Sequence, residues 1–268
     1  MRLFAIVYLS LLTAIPSVSQ EMPILQLYRN LLANSPNGDN TRSVDIFGEL
    51  DDVRIQAASE DEISAVAPLA LQCIRSSNGE LRKDGFVFFL AAITRPDSGK
   101  AIGPYIDNLG ALLNDKDTAP RRTIFYILGS LQPKPPEKAI AYLEANLENS
   151  RNSSAETITI AVSLIKTSPN DNATVHKVLS VVTSRSDDNV TGSVIRQLGL
   201  SRTHAPEAIG FISTSLDSDR PGVHESAVDA ASRLNKDQRA FSSQLARIAS
   251  DPKESPNVRN QAAQALKP

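Results

Sequence analysis

With 268 residues, 41% of them hydrophobic and 22% charged, the chain carries enough apolar material to build a core, which excludes wholesale disorder. A formal net charge of −2 speaks against a polyanion-binding surface, and 5% aromatic residues with no tryptophan speak against a sugar-stacking face. The single cysteine, Cys73, rules out an intramolecular disulfide, so stability must come from packing.

In chain order, Met1 and Arg2 give a short positive start, Leu3 to Ile15 is an almost unbroken apolar run, and Pro16-Ser17-Val18-Ser19 closes it with small residues. This pattern predicts an export signal over residues 1–19, cleaved after Ser19, because the run is shorter than the ~20 residues a membrane span needs. Loss of Arg2 takes the formal charge of the mature chain to −3. No later stretch is long or apolar enough to span, and no cysteine suited to lipid attachment lies near the cleavage point. The expected product is therefore a secreted or periplasmic protein with no membrane span in the mature chain. Cys73 stands in the apolar stretch Leu69-Ala70-Leu71-Gln72-Cys73-Ile74, where a buried structural thiol is expected, and Phe86-Val87-Phe88-Phe89 likewise reads as buried.

From residue 81 onward one apolar pattern recurs. Val258 is followed at helical spacing by Ala262, Ala263, Ala265 and Leu266; the same register fits Val223 with Ala227, Val228, Ala230 and Ala231, and Val190 with Val194, Ile195 and Leu198. Upstream, Ser154 leads to Ile158, Ala161 and Val162, Pro120 to Ile124, Phe125, Ile127 and Leu128, and Leu81 to Phe86, Phe88 and Phe89. These anchors lie 39, 34, 36, 33 and 35 residues apart, a repeat period. A second set of stripes falls between them, such as Ala139, Ile140, Leu143 and Leu147, or Val175, Val178, Leu179 and Val182. Every repeat is thus a helix pair. Asp115-Lys116-Asp117, Asp187-Asp188, Asp217-Ser218-Asp219 and Asp251-Pro252 separate the two helices of a pair, whereas Gln132 to Pro136 and Ser168 to Asp171 separate successive pairs. No β-type alternation is present.

The run Asp251-Pro252 followed by Val258-Arg259 and Ala262, Ala263, Ala265 and Leu266 resembles the second helix of a HEAT repeat, and Val53-Arg54 with Ala57-Ala58, Leu81-Arg82 and Pro120-Arg121 echo it. His224 occupies the Arg register of its unit; Ala155 and Thr191 depart from it. This resemblance to the HEAT-repeat (HEAT/armadillo-like) family implies an all-α, right-handed α-solenoid of about six to seven HEAT-like helix pairs. Residues 20–58 are expected to form degenerate N-terminal capping helices and residues 59–268 the solenoid. The resemblance also implies that Arg54, Arg82, Arg121 and Arg259 pair with an inter-helix Asp of their own or the neighbouring repeat.

A catalytic reading finds little support. His176, His204 and His224 do not share a helix at ligand spacing, and there is no metalloprotease motif, nucleophile elbow or phosphate loop. The Asp pairs sit where helix-capping residues belong. No catalytic residue, cofactor or metal is expected, and no nucleic-acid partner. Asn152, Asn172 and Asn189 open glycosylation sequons, read as incidental. The expectation is a monomeric interaction scaffold holding a protein or peptide in a concave groove lined by second helices. Positions six after each anchor form its outward stripe: Tyr126, Ile160, Arg196, Asp229 and Gln264. The rival readings are a solenoid enzyme of lyase type and a purely structural envelope protein; the former requires acidic and His side chains gathered in a deep pocket.

Overall fold

The computed structural model describes residues 22–34, 52–116 and 118–267. The expected export signal and residues 20, 21 and 35–51 of the expected cap lie outside the described residues. The rest is helical: α1 (Pro23–Asn34) and α2 (Asp52–Ala57) precede six helix pairs among the described residues. These are α3 (Glu60–Ile74) with α4 (Gly79–Ala92); α5 (Ser98–Ile102) and α6 (Ile106–Ala111) with α7 (Thr118–Ser130); and α8 (Glu137–Leu147) with α9 (Ser154–Thr167). There follow α10 (Asn172–Arg185) with α11 (Asp188–Leu200), α12 (Pro206–Ser215) with α13 (Pro221–Gln238), and α14 (Ser242–Ser250) with α15 (Pro256–Ala265). Among the described residues there is no strand.

Local chemistry fixes the starts. Ser59, Asn78, Asp171, Asp187 and Ser255 each accept a hydrogen bond from a first-turn N–H, and Ser153 with Glu156 forms a reciprocal capping box on α9. Of the Asp pairs expected to cap, Asp187 does; α13 instead starts from Arg220 with Pro221 in its first turn and no side-chain cap. Gly103-Pro104-Tyr105 is a 3-10 turn that splits the first helix of the second pair, because proline brings no N–H for the α-helical ladder.

Each helix buries one stripe, and the stripes merge into a single core from Ile24 to Ala265. The second helices carry the closest stacking. Glycines stand at their contacts: a Cβ on Gly199 of α11 would lie 2.6 Å from the Ala230 Cα of α13, and one on Gly192 would lie 2.9 Å from the Ser226 hydroxyl. Around this apolar layer run polar cross-links between neighbouring pairs. The Arg82 guanidinium is 3.9 Å from the Asp115 carboxylate, as the HEAT-like pattern implies. Arg121 departs from it: its Nε donates to Glu156 of the next pair at 2.8 Å, while Nη1 donates to the Asp115 carbonyl at 2.7 Å. The Glu is favoured because it is already held by the Ser153 cap on α9. Burial alone would raise the Glu156 carboxyl, but the hydrogen bonds from Arg121 and Ser153 outweigh it and hold the group below its ordinary range. His224 stands 3.3 Å from the Glu254 carboxylate, a third such rung. Loop to loop, Thr203 Oγ1 donates to the Pro169 carbonyl at 2.6 Å, and fully buried Asn235 donates to the Ala265 carbonyl while accepting from the Phe241 N–H.

Helix α1 closes the array by docking on α3 and α4. The Glu62 carboxylate accepts from the Ile24 N–H at 2.6 Å, and the Tyr28 hydroxyl donates to the Asp84 carbonyl at 2.6 Å. Val87, Phe88 and Phe89 are buried beside it, with Phe88 edge-on to Tyr28, and Phe86 is half-buried. Cys73 is buried here too, which pushes its thiol up to about 12, and the nearby Asp84 carboxylate adds to the effect.

Gly199→Ala gains helix propensity but forces α11 away from the α13 backbone, so a net loss of about 1–2 kcal/mol is expected. Gly210→Ala in α12 meets nothing within 4 Å, and should gain up to about 1 kcal/mol. Chemical denaturation of the two variants measures both, and equal effects would remove the close-approach argument. Asp84 is 8% exposed; burial, with Glu80 adding repulsion, raises its carboxyl to about 6. The folded state then holds a proton that the unfolded state has released, so stability falls as pH rises from about 4 to 6 and stays lower above. Asp84→Asn should abolish that decline and raise stability at pH 8 by about 1–2 kcal/mol, read from melting temperature against pH.

Candidate partner-binding surface

The apolar stripe of a second helix points into the core, so the residues two and six places beyond its i+4 core position turn away from it, one helical turn apart. In α7 these are Tyr126 and Ser130 after Ile124; in α11, Arg196 and Leu200 after Val194; in α13, Asp229 and Arg233 after Ala227. Tyr126 is 52% exposed, Leu200 is 56% exposed, and Arg196 and Gln264 are exposed, whereas Asp229 is half-buried.

Ile160 does not belong to this set. It is fully buried, at the position that Ile124 and Val194 take in their helices. The repeat anchor of α9 is Glu156 rather than Ser154, because the helix starts at Ser154 but its core stripe is Ile160, Ala161 and Leu164. The outward position of α9 is accordingly half-buried Val162, with exposed Lys166 one turn on.

These side chains line two hollows on the second-helix face. The first, about 690 Å³, lies across α7, α9 and α11 and is lined by Tyr126, Ile158, Val162, Lys166, Gln197 and Leu200 among others. The second, about 430 Å³, lies across α11, α13 and α15, where Leu200 meets Arg202, Asp229, Arg233, Lys236 and Gln264. Leu200 lines both, so the two are neighbours along one surface. The Asp229 carboxylate accepts from Arg233 Nε at 3.0 Å and from Gln261 Nε2 at 2.9 Å, which ties the wall of the second hollow across two repeats. Arg196 lines neither hollow; its Nε donates to the Ser226 hydroxyl at 3.1 Å, between α11 and α13.

Of the expected stripe, the structure therefore brings Tyr126 to the first hollow and Asp229 and Gln264 to the second, sets Arg196 beside them and buries Ile160. Sequence reasoning missed Val162, Lys166, Leu200, Arg233 and Lys236. The signal was available for two of these five, Leu200 and Arg233, as the i+4 neighbours of Arg196 and Asp229; Val162 and Lys166 follow only once the structure places the α9 anchor on Glu156.

A third hollow, about 540 Å³, gathers Asp217, Asp219, Asp251 and Glu254 with His224 and Arg247 at the turns of the last two pairs. Around it Arg247 donates to Asp217, the Lys253 N–H donates to Asp251 at 2.9 Å, and Glu254 faces His224. Among the described residues no group of three or more His, Cys, Asp or Glu side chains could hold a metal ion. His176 stands at 3.0 Å from Glu207, joining α10 to α12. Asn152 of the first sequon is buried, its Nδ2 donating to the Asn146 carbonyl at 2.6 Å.

The corrected register carries its own test. Ile160→Ala should lower stability by about 2–4 kcal/mol, whereas Val162→Ala should change it by less than about 1 kcal/mol. Equal losses in denaturant titrations would contradict the assignment of Val162 to the outer face.

No protein-family model matches the chain, and no curated protein is significantly similar to it. Solved structures are similar in fold. An engineered protein from the Northeast Structural Genomics Consortium aligns at a TM-score of 0.51 and 16% identity, over 90% of this chain and 67% of that one. Importin beta, crystallised in an ammonium sulfate condition, aligns at a TM-score of 0.51 and 16% identity over 91% of this chain and 35% of its own. The chain thus spans about a third of importin beta.

Proposed function

Starting from a HEAT/armadillo-like helical-repeat fold, we propose that this protein is an exported, non-catalytic scaffold that holds an extended protein or peptide segment along its second-helix face. One observation carries the reading: Tyr126 and Leu200, the two large hydrophobic side chains left exposed among the described residues, line the same hollow. Single exposed apolar residues need no explanation, but two converging on one concavity are what an anchor pocket for a partner's side chain requires. The second-helix face is the concave side of the array in this proposal, α1 and α2 belong to its cap, and the protein works as a monomer. Export rests on the apolar run that opens the chain, and no helix among the described residues is long and apolar enough to cross a membrane. At the last turns Asp217 accepts from Arg247, Asp251 accepts from a backbone N–H and Glu254 faces His224, which favours binding over catalysis.

Panning a random-peptide display library on the immobilised full-length protein tests this. The wild type should enrich peptides with apolar anchors, and the double variant Tyr126→Ala, Leu200→Asp should bind the enriched peptides at least about tenfold more weakly with unchanged helicity. No enrichment, or enrichment indifferent to the double variant, would overturn the reading.

A further inference from the structure

The polar rungs between pairs all run in one direction. Arg82 of α4, Arg121 of α7 and His224 of α13 each stand one residue after the anchor of their helix, and each meets a carboxylate supplied by the following pair: Asp115, Glu156 and Glu254. Arg259 holds the same register on α15, and among the described residues no pair follows it. No aspartate pairs with Arg259 there, contrary to the expectation for it, and its buried Nε–H has no hydrogen-bond partner among the described residues. A buried donor is normally satisfied. The apolar positions show the same break. Five residues after the anchors of α7, α9, α11 and α13 stand Phe125, Ala161, Ile195 and Val228, all buried, whereas their counterpart on α15, Ala263, is exposed. Ala231, eight after its anchor, is buried, whereas its counterpart Leu266 is half-buried. Arg259, Ala263 and Leu266 follow one another at spacings of four and three residues, so α15 turns outward the one face that its predecessors cover with the next helix.

We propose that this end of the array docks an amphipathic helix of a partner protein, laid alongside α15 as a further second helix, with an Asp or Glu at or just before its first turn. The place of the carboxylate follows from the rungs: Glu156 lies in the first turn of α9, and Asp115 and Glu254 lie in the turns just before α7 and α15. There the dipole of the partner's helix also favours a negative charge. A guanidinium has five N–H donors on a flexible stem, and Arg259 is half-buried rather than sealed, so it turns to a carboxylate arriving at this edge. A second copy of the chain fits less well. Its α1 carries no acidic residue to offer head to tail, and α15 against α15 would set two Arg259 side chains together. Arg259, Ala263 and Leu266 line neither hollow of the second-helix face, so this surface is separate from the groove proposed above.

The probe is a fluorescein-labelled peptide copying residues 151–168, the α9 helix with its Glu156, stapled helical through the outer positions 162 and 166, beside its Glu156→Gln form. Both are titrated by anisotropy against the full-length wild type, Arg259→Gln, Ala263→Glu and Leu200→Asp, each variant checked for fold by circular dichroism. The glutamate peptide should bind the wild type about fivefold more tightly than the glutamine peptide, and Arg259→Gln should erase that difference. Ala263→Glu, an exposed substitution, should weaken both peptides about tenfold, and Leu200→Asp should leave both unchanged. Equal affinity of the two peptides for the wild type would overturn the rung, as would a preference that survives Arg259→Gln. Binding lost with Leu200→Asp and kept with Ala263→Glu would put the peptide in the groove and overturn this face. If neither peptide binds, the docking role of α15 falls while the groove stands. Sedimentation velocity of the protein alone completes the test: self-association abolished by Ala263→Glu would overturn the partner helix in favour of a second copy.

Discussion

Everything in this molecule depends on one constraint: a pair of short amphipathic helices cannot bury both of its stripes without a neighbour. The stripes of α9 or α11 find cover only when the second helices of consecutive pairs lie against one another, and so the core is one continuous layer from Ile24 to Ala265 rather than a set of separate cores. The closeness of that stacking is set by small residues. Gly199 lets the α11 backbone approach Ala230 of α13 where any larger side chain would hold them apart, and a Cβ on Gly192 would press on the Ser226 hydroxyl. The polar rungs from Arg82 to Asp115, Arg121 to Glu156 and His224 to Glu254 flank this layer.

The same constraint shapes the outer face. Because each helix spends its apolar residues inward, the outward positions are free to differ from repeat to repeat, and they do: tyrosine, valine, arginine and aspartate stand at equivalent places on α7, α9, α11 and α13. A surface built this way is a row of sites with independent chemistry on one rigid support. The hollow bordered by Tyr126 and the one bordered by Lys236 share Leu200 yet differ in charge, which a single pocket in a globular core achieves less easily.

How much of this was legible in the sequence varies with the physics involved. The helix pairs and their turns were readable because burial imposes a period on every repeat, and the 33–39 residue spacing of the anchors exposes it. The outward stripe was readable wherever the anchor was an apolar residue inside the helix, as at Val190 and Val223. It failed at α9, where Ile158 and Val162, two apolar residues on the half-exposed side, made Ser154 look like the anchor and placed Ile160 outside. The true anchor there is a buried glutamate, and no hydrophobic pattern announces a charged residue in a core. For the same reason the Arg121 partner was expected to be an aspartate in the turn, and the fully buried Asn235 went unnoticed. Polar groups in the interior are found through their partners, and partners about 35 residues away are visible only once the helices have been stacked.

The Arg121–Glu156 pair has a meaning beyond the contact it makes. Exchanging a buried ion pair for well-packed apolar residues is often neutral or stabilising, so its presence is poorly explained as a source of strength. Its effect lies in the arrangements it excludes. Stacked helices with near-identical apolar stripes could slide past one another by a turn, about 5.4 Å, and still bury most of their surface. Such a slip between α7 and α9 would leave the Glu156 carboxylate, fully buried, without its cation, a penalty of about 3–5 kcal/mol. In a chain made of look-alike parts, one charge placed inside acts as a key that lets α9 fit against α7 in a single alignment.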